Sequence, residues 1–228
     1  MEPIESPSFR ARVSAFGLAT LLTLGWYVIL VVFPGRYVVF ALAVYAAAST
    51  IVVYLSNRSA LRALFAPSRR GVISGIVSGA FLTAVTYLIC PILEDAVSGV
   101  GEQLAGLYRL FDGLNSYSIS LLVFSVVIGE EIIWRGPLII DRGLQSGQHW
   151  CDVKILFKRR QLLALACSVA LYTIVQLAFG TWLMVVLAFC CGILWCSLRI
   201  ITGNLCASLI SHLIWDFFVI ILWPPVTY

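Results

Sequence analysis

The sequence has few charged residues: Asp, Glu, Lys and Arg make up 11% of its 228 residues, against about 25% in soluble domains. Hydrophobic residues reach 61%, and the mean hydropathy is +0.99. This composition excludes a soluble globular domain. It predicts an all-α, polytopic membrane helix bundle, in which spans of about 20 residues use nearly all of the chain. A single integral-membrane domain over residues 1–228 is therefore expected.

Several other signals are absent from the sequence. It has seven cysteines but no Cys-x-x-Cys pair, so neither a disulfide framework nor a zinc site is predicted. No nucleic-acid motif accompanies the net charge of +4, which basic loops beside a membrane explain. Nucleic acid is therefore not an expected partner, whereas membrane lipid is. No paired broken helices occur in corresponding halves of the chain, which weakens a transporter function without removing it.

Seven apolar stretches have the length of membrane spans. They occupy residues 13–33, 37–55, 72–92, 118–140, 161–178, 181–198 and 204–223. Between the third and the fourth, leucine and phenylalanine recur at helical spacing within residues 94–117, which indicates an interfacial amphipathic helix. The loops at residues 57–70 and 141–160 are basic, which predicts a cytoplasmic N-terminus and a C-terminus outside. The expected location is a bacterial-type inner or plasma membrane.

Three charged residues interrupt the fourth apolar stretch: Glu130, Glu131 and Arg135. A charge at a membrane helix centre costs roughly 2.5 to 3.5 kcal/mol on the insertion scale, so these side chains need a polar interior and partners. At about 100° per residue, Glu131 and Arg135 lie about 40° apart, whereas Glu130 points about 140° away from Arg135. We expect Arg135 to hold Glu131 ionised and Glu130 to be a general base. A purely structural ion-pair cluster is the alternative.

Two other stretches carry polar pairs at a spacing of four residues. His212 and Asp216 share one face of the last span, at a depth similar to that of Glu130. Tyr172 and Gln176 share a face of the fifth span. A glutamine side chain can donate and accept hydrogen bonds but has no proton-transfer role near neutral pH, so Gln176 predicts either binding or helix packing.

These motifs come in the order seen in CPBP proteins, the CAAX-prenyl endopeptidases and bacteriocin-processing or immunity-type membrane proteases. The residues that carry the resemblance are Glu130-Glu131-x-x-x-Arg135, Tyr172-x-x-x-Gln176, the Arg199 to Leu205 turn and His212-x-x-x-Asp216. The sequence resembles this family over a core of about residues 118–223. The resemblance implies a helical bundle with a polar cavity and peptide hydrolysis without a covalent enzyme intermediate.

Carried over, the resemblance implies that Glu130 activates a water, that Glu131 and Arg135 support it, and that His212 with Asp216 stabilises the oxyanion. Two positions depart from the family. The second motif is usually Phe-x-x-x-His, where this chain has Tyr172 and Gln176, and the last motif often ends in Asn rather than Asp216. Gln176 therefore either positions the water or marks a protein that no longer cleaves peptides.

Two functions follow as hypotheses. The first is an intramembrane peptidase that acts on membrane-embedded or lipidated peptides, with Glu130, Glu131, Arg135, Gln176, His212 and Asp216 as its site. The second is a catalytically impaired relative that acts as an immunity factor or as a subunit of a membrane-protein complex. No cofactor is expected; a metal held by Glu130, His212 and Asp216 is the alternative to that expectation.

Overall fold

The structure, a computed structural model, describes residues 9–56, 65–136, 159–222 and 224. Within these ranges the chain forms helices and contains no strand, so the all-α prediction is confirmed. The helices are α1 (Phe9–Val32), α2 (Tyr37–Ser56), α3 (Arg69–Ala96), α4 (Val100–Tyr108), α5 (Ser116–Glu130), α6 (Arg159–Val175), α7 (Trp182–Thr202) and α8 (Leu205–Asp216). Short stretches of other helix types extend four of them: Arg109–Phe111 after α4, Glu131–Arg135 after α5, Gln176–Phe179 after α6 and Phe217–Leu222 after α8.

Among the described residues, six helices are long and apolar enough to cross a membrane. These spans are Tyr37–Leu55, Arg69–Ala96, Ser116–Arg135, Gln161–Phe179, Trp182–Thr202 and Leu205–Leu222. Helix α1 adds the shorter apolar stretch Phe16–Val32. The predicted polytopic bundle is therefore confirmed. Most of the two basic loops, the end of the predicted fourth span and Trp223 lie outside the described residues. The single-domain description and the cytoplasmic N-terminus stay predictions.

Helix α4 is the amphipathic helix predicted between the third and fourth spans. Its Leu104 and Tyr108 are buried and pack in a small apolar cluster with Cys90 and Leu183. The hydroxyl of Tyr108 donates a hydrogen bond of 2.9 Å to the backbone oxygen of Val219. Helix α4 is thus tied to the end of the last span.

Helices α3 and α8 approach each other closely along a stripe of glycines. A Cβ atom at Gly75 would lie 2.7 Å from the backbone oxygen of Ala207, and one at Gly79 would lie 2.9 Å from that of Ser211. Both distances are too short for real Cβ contacts. Glycine at every fourth residue favours a close helix approach of this kind, and the approach fixes the backbone immediately before His212.

The start of α8 is fixed by its capping residue. The side chain of Asn204 accepts a hydrogen bond of 2.7 Å from the backbone nitrogen of Cys206, which satisfies a free donor of the first helical turn. The side-chain nitrogen of Asn204, Nδ2, also donates a hydrogen bond to the backbone oxygen of Ala66. Since Ala66 lies just before α3, this side chain holds the beginnings of α3 and α8 together.

Aromatic side chains fill the space between α1, α5, α6 and α7. The ring centroids of Trp26 and Trp134 are 5.1 Å apart, and those of Trp134 and Tyr172 are 4.8 Å apart. The indole nitrogen of Trp134 donates a 3.0 Å hydrogen bond to Thr23. Because buried aromatic rings supply large contact areas with defined geometry, this cluster fixes the charged motif against three other helices.

Candidate active site

The charged motif sits where α5 changes its winding. The α-helix runs to Glu130, and Glu131–Arg135 continue as a π-helix in which all five residues are buried. Insertions of this kind are frequent at functional sites. The hydroxyl of Ser168 on α6 donates to the backbone oxygen of Trp134, which gives a carbonyl of the irregular turn a partner. The sequence predicted a regular helix here and missed this change.

Gly129 lets the motif lie directly against α2. A Cβ atom at this position would lie 2.4 Å from the Cβ of Ala46, so a larger residue would push the two helices apart. Ala46 itself is fully buried. Glu130 and Glu131 therefore enter the interior from a backbone that is held close to its neighbour.

Arg135 and Glu131 form the ion pair that their spacing predicts. A terminal nitrogen of Arg135 lies 3.2 Å from Oε1 of Glu131, and both side chains are fully buried. The guanidinium carbon also lies 4.3 Å from the ring centroid of Tyr172 and 5.2 Å from that of Trp195. Aromatic faces attract cations, so two rings support the charge that Glu131 balances.

Glu131 also reaches across to the last span. Its Oε1 atom lies 2.9 Å from Nδ1 of His212. Arginine keeps its charge in proteins, and an ionised carboxylate can only accept hydrogen bonds. Beside Arg135, Glu131 is therefore the acceptor, and Nδ1 of His212 is the donor. This network assigns the proton of the neutral ring to Nδ1 and leaves Nε2 with its lone pair.

The ring of His212 stacks on Trp195 of α7. Their centroids are 3.5 Å apart with an interplanar angle of 23°, and the indole nitrogen of Trp195 donates a 3.3 Å hydrogen bond to Ser211. Trp195 is fully buried. The stacking and the bond from Nδ1 together fix the direction in which Nε2 points.

Nε2 of His212 faces two carboxyl groups. It lies 3.7 Å from Oε2 of Glu130 and 3.7 Å from Oδ2 of Asp216. The hydroxyl of Tyr172 donates a 3.2 Å hydrogen bond to the same Oε2 atom of Glu130. All four residues are buried. Glu130 and His212 thus meet at the same depth, as the helix lengths predict.

These groups line part of a cavity of about 410 Å³. Glu130, Tyr172, Gln176, His212 and Asp216 line it together with many apolar side chains, among them residues of α3 and α4. Glu131 and Arg135 do not belong to the lining. The different directions predicted for Glu130 and Glu131 are therefore found in the structure.

Gln176 reaches the cavity from the point where α6 ends. It is the first residue of the 3₁₀ stretch that Gly180, with a φ of +68°, terminates. Its side chain is 4% exposed, and its amide oxygen accepts no hydrogen bond from the part of the chain that the structure describes. An amide in this place can bind a water or a substrate carbonyl.

The structure brings all six predicted site residues together, four at the cavity and two behind it. Sequence reasoning missed the hydrogen bond from Tyr172 to Glu130 and the stacking of Trp195 on His212. The sequence did point to Tyr172, because the resembling family usually has phenylalanine, which lacks a hydroxyl, at this motif position. Trp195 carried none, since it is one apolar residue among many in α7.

A metal site is not found within the ranges 9–56, 65–136 and 159–222: no group of three His, Cys, Asp or Glu residues there has a geometry that could hold an ion.

Comparisons with known proteins agree with the motifs. Residues 113–218 match the family model described as type II CAAX prenyl endopeptidase Rce1-like. This segment contains Glu130, Glu131, Arg135, Gln176, His212 and Asp216. It begins five residues before the start of the predicted core and ends five residues before the end of that core. No curated protein and no solved structure matches the chain. This match over residues 113–218 confirms the resemblance to the CPBP proteins, and that segment is similar to the Rce1-like type II CAAX prenyl endopeptidases.

Proposed function

We propose that this protein is an intramembrane peptidase that hydrolyses membrane-embedded or prenylated peptides with a water activated by Glu130. The main support is the meeting of Glu130 with His212, 3.7 Å apart, in the lining of a mainly apolar cavity. A general base has to lie near the proton that it removes. Glu130 meets this requirement for a water bound in the cavity beside its carboxyl group.

The other site residues have supporting roles in this proposal. Tyr172 holds the carboxyl group of Glu130 in one direction. Glu131 and Arg135 form an ion pair, and the contact of Glu131 with Nδ1 orients the ring of His212. The amide of Gln176 binds the water or the carbonyl of the scissile bond. Donors aimed at developing negative charge in a dry cavity are each worth about 3 to 4 kcal/mol in transition-state stabilisation. The proposed reaction needs no metal or other cofactor.

The apolar wall of the cavity supports the proposed class of substrate. Most lining residues are aliphatic or aromatic, including Leu82, Ile89, Leu104 and Leu187. A lipidated or otherwise apolar peptide leaves the bilayer for such a wall with little loss of apolar contacts. A strongly charged peptide would lose its hydration there. The partners in this proposal are therefore membrane lipid and an apolar or lipidated peptide.

The arrangement in the membrane is also a proposal. The basic residues of the loops at 57–70 and 141–160 favour the cytoplasmic side, which would leave the C-terminus outside. A bacterial-type inner or plasma membrane fits this distribution. The cavity residues of α3, Leu82 to Leu93, lie in the second half of that helix. They are consequently nearer to the side opposite the basic loops.

The test uses purified protein with two synthetic peptides that differ only in a prenyl group. We expect cleavage by the wild-type protein and faster cleavage of the prenylated peptide. Glu130→Ala should remove cleavage, because it deletes the base. Equal cleavage by both proteins would exclude the proposed role of Glu130. Equal rates for the two peptides would exclude the lipid preference and keep the peptidase.

One observation favours a second function. Gln176 occupies a buried position at the cavity where the resembling family has histidine, and an amide cannot accept a catalytic proton near neutral pH. A chain that has lost cleavage could keep the same fold and serve as an immunity factor or as a subunit of a membrane-protein complex. The substitution Gln176→His distinguishes the two functions.

A further inference from the structure

Nε2 of His212 is the meeting point of two buried carboxyl groups. Oε2 of Glu130 and Oδ2 of Asp216 each lie 3.7 Å from it, close enough that a small side-chain rotation brings either into hydrogen-bond range. Nδ1 of the same ring is occupied by Glu131 at 2.9 Å. The only ring nitrogen that faces the cavity therefore faces both acids.

We propose that Asp216 is the general acid of the reaction and that Nε2 of His212 passes protons between Glu130 and Asp216. This inference rests on the proposed peptidase function and deepens it. It differs from the oxyanion role that the family resemblance implies for His212 and Asp216. It also gives the chain a proton path that does not pass through Gln176.

The tautomer of His212 supports this path. Because Nδ1 donates to Glu131, the neutral ring offers a lone pair at Nε2 and can accept a proton there. A neutral ring in this state cannot donate to an oxyanion from Nε2. The stacking on Trp195, with centroids 3.5 Å apart, opposes a ring flip that would exchange the two nitrogens.

The surrounding charges favour one shared proton. Two ionised carboxylates that face one nitrogen in a dry site repel each other, and a proton held among them lowers that repulsion. Other charged or titratable groups face this site from the packed helices. They are Glu131 and Arg135 next to His212, Tyr172 beside Glu130, Cys191 in the cavity lining and the buried Arg199 near Glu131.

The reaction balances with these three residues alone. Ionised Glu130 takes a proton from water as the water oxygen bonds to the carbonyl carbon, and the carbonyl electrons move to its oxygen. Protonated Asp216 then gives its proton to the amide nitrogen as the carbon–nitrogen bond breaks. Glu130 returns its proton to Nε2 of His212, which passes it to Asp216. The products are a carboxylic acid and an amine, and the enzyme is restored.

No rotation of the imidazole is needed in this cycle. Both acids face the same nitrogen, so the proton that arrives at Nε2 leaves from Nε2. Apart from the groups named above, the cavity lining is mainly apolar. One proton can therefore move from Glu130 to Asp216 through Nε2 of His212 alone.

Infrared titration of the carboxyl bands in purified protein tests the relay without a substrate. The wild-type protein should show two coupled protonation steps that belong to Glu130 and Asp216 together. Asp216→Asn should leave one step with a different midpoint, and Asp216→Glu should restore two. Glu102→Gln is the matched control, since Glu102 is exposed and absent from the cavity lining. Independent steps in the wild type, or an unchanged Glu130 step in Asp216→Asn, would overturn the relay.

The pH profile of cleavage adds a second test. Asp216→Asn should lower kcat by about 100-fold, in the range of general acid–base effects, remove one limb of the profile and leave KM within about twofold. Unchanged kcat in Asp216→Asn would exclude Asp216 as the acid. If the wild-type protein cleaves no peptide, the proposed function fails, and the infrared titration alone decides whether the proton is shared.

Discussion

Tyr172 donates a hydrogen bond of 3.2 Å to Oε2 of Glu130. The ring of the same tyrosine lies 4.3 Å from the guanidinium carbon of Arg135. One buried side chain therefore contacts both the proposed base and the cation of the neighbouring ion pair. It fixes the direction of the Glu130 carboxyl group, while Arg135 keeps Glu131 in place behind it.

Tyr172→Phe removes only the hydroxyl of this contact. Hydrogen bonds to charged groups contribute about 1.5 to 3 kcal/mol, and 1.4 kcal/mol corresponds to about tenfold in rate. We expect kcat to fall by about tenfold or more with little change in KM, measured on a cleaved peptide. Tyr45→Phe is the control, because its hydroxyl bonds to the backbone oxygen of Leu22 away from the cavity. Equal losses in both variants would contradict the positioning role.

Gln176→His tests whether the chain is a weakened peptidase. An imidazole at this buried position can accept a proton, which the amide cannot do. We expect faster cleavage, by less than about 100-fold, because His212 and Asp216 already face Glu130. Gln176→Leu is the control and should cleave more slowly than the wild type. If wild type and Gln176→His are both inactive, the result favours the immunity or complex-subunit function.

Gly79→Ala tests the close packing of α3 on α8. The added Cβ would lie 2.9 Å from the backbone oxygen of Ser211, so the helices must separate next to His212. Overpacking of this kind costs about 1 to 3 kcal/mol of folding free energy. We expect a lower unfolding temperature in detergent and slower cleavage. Gly17→Ala is the matched helical control, since nothing lies within 4 Å of its Cβ position, and equal effects of both changes would contradict the packing argument.

Arg135→Met tests the buried ion pair. It leaves Glu131 fully buried without its cation, and an uncompensated buried charge costs about 3 to 5 kcal/mol of unfolding free energy. The double variant Glu131→Gln, Arg135→Met should recover part of this loss, because the carboxylate that lost its Arg135 partner is then uncharged. Denaturant unfolding of the wild type, the single variants Glu131→Gln and Arg135→Met, and the double variant measures the coupling. Additive losses would show that the two residues do not stabilise each other.

Relationships within one helix could be predicted from the sequence. Four-residue spacing placed Glu131 beside Arg135 and His212 beside Asp216, and the helical angle separated Glu130 from Glu131. The apolar composition predicted the helices, and glycine at every fourth residue of α3 favours a close approach by a neighbouring helix without naming which one. Each of these follows from the geometry of a single helix or from the small size of one residue type.

Relationships between helices could not be predicted in the same way. The contact of Glu131 with His212 joins residues 81 positions apart, and nothing in either local pattern selects it over a contact of Glu130. The π-helical turn at Glu131–Arg135 also depends on neighbouring helices. The sequence therefore indicated which residues meet at the candidate site, whereas the tautomer of His212 and the two acids that face it required the structure.

The most direct test of Glu130 as the general base is the cleavage rate of Glu130→Gln in liposomes, compared with the wild type and with Glu102→Gln. The amide keeps the shape of the side chain and can still accept the hydrogen bond from Tyr172, but it cannot take a proton from water. If Glu130 is the base, Glu130→Gln loses cleavage by about 100-fold or more and Glu102→Gln cleaves at an unchanged rate. Cleavage by Glu130→Gln at the wild-type rate would contradict this role of Glu130.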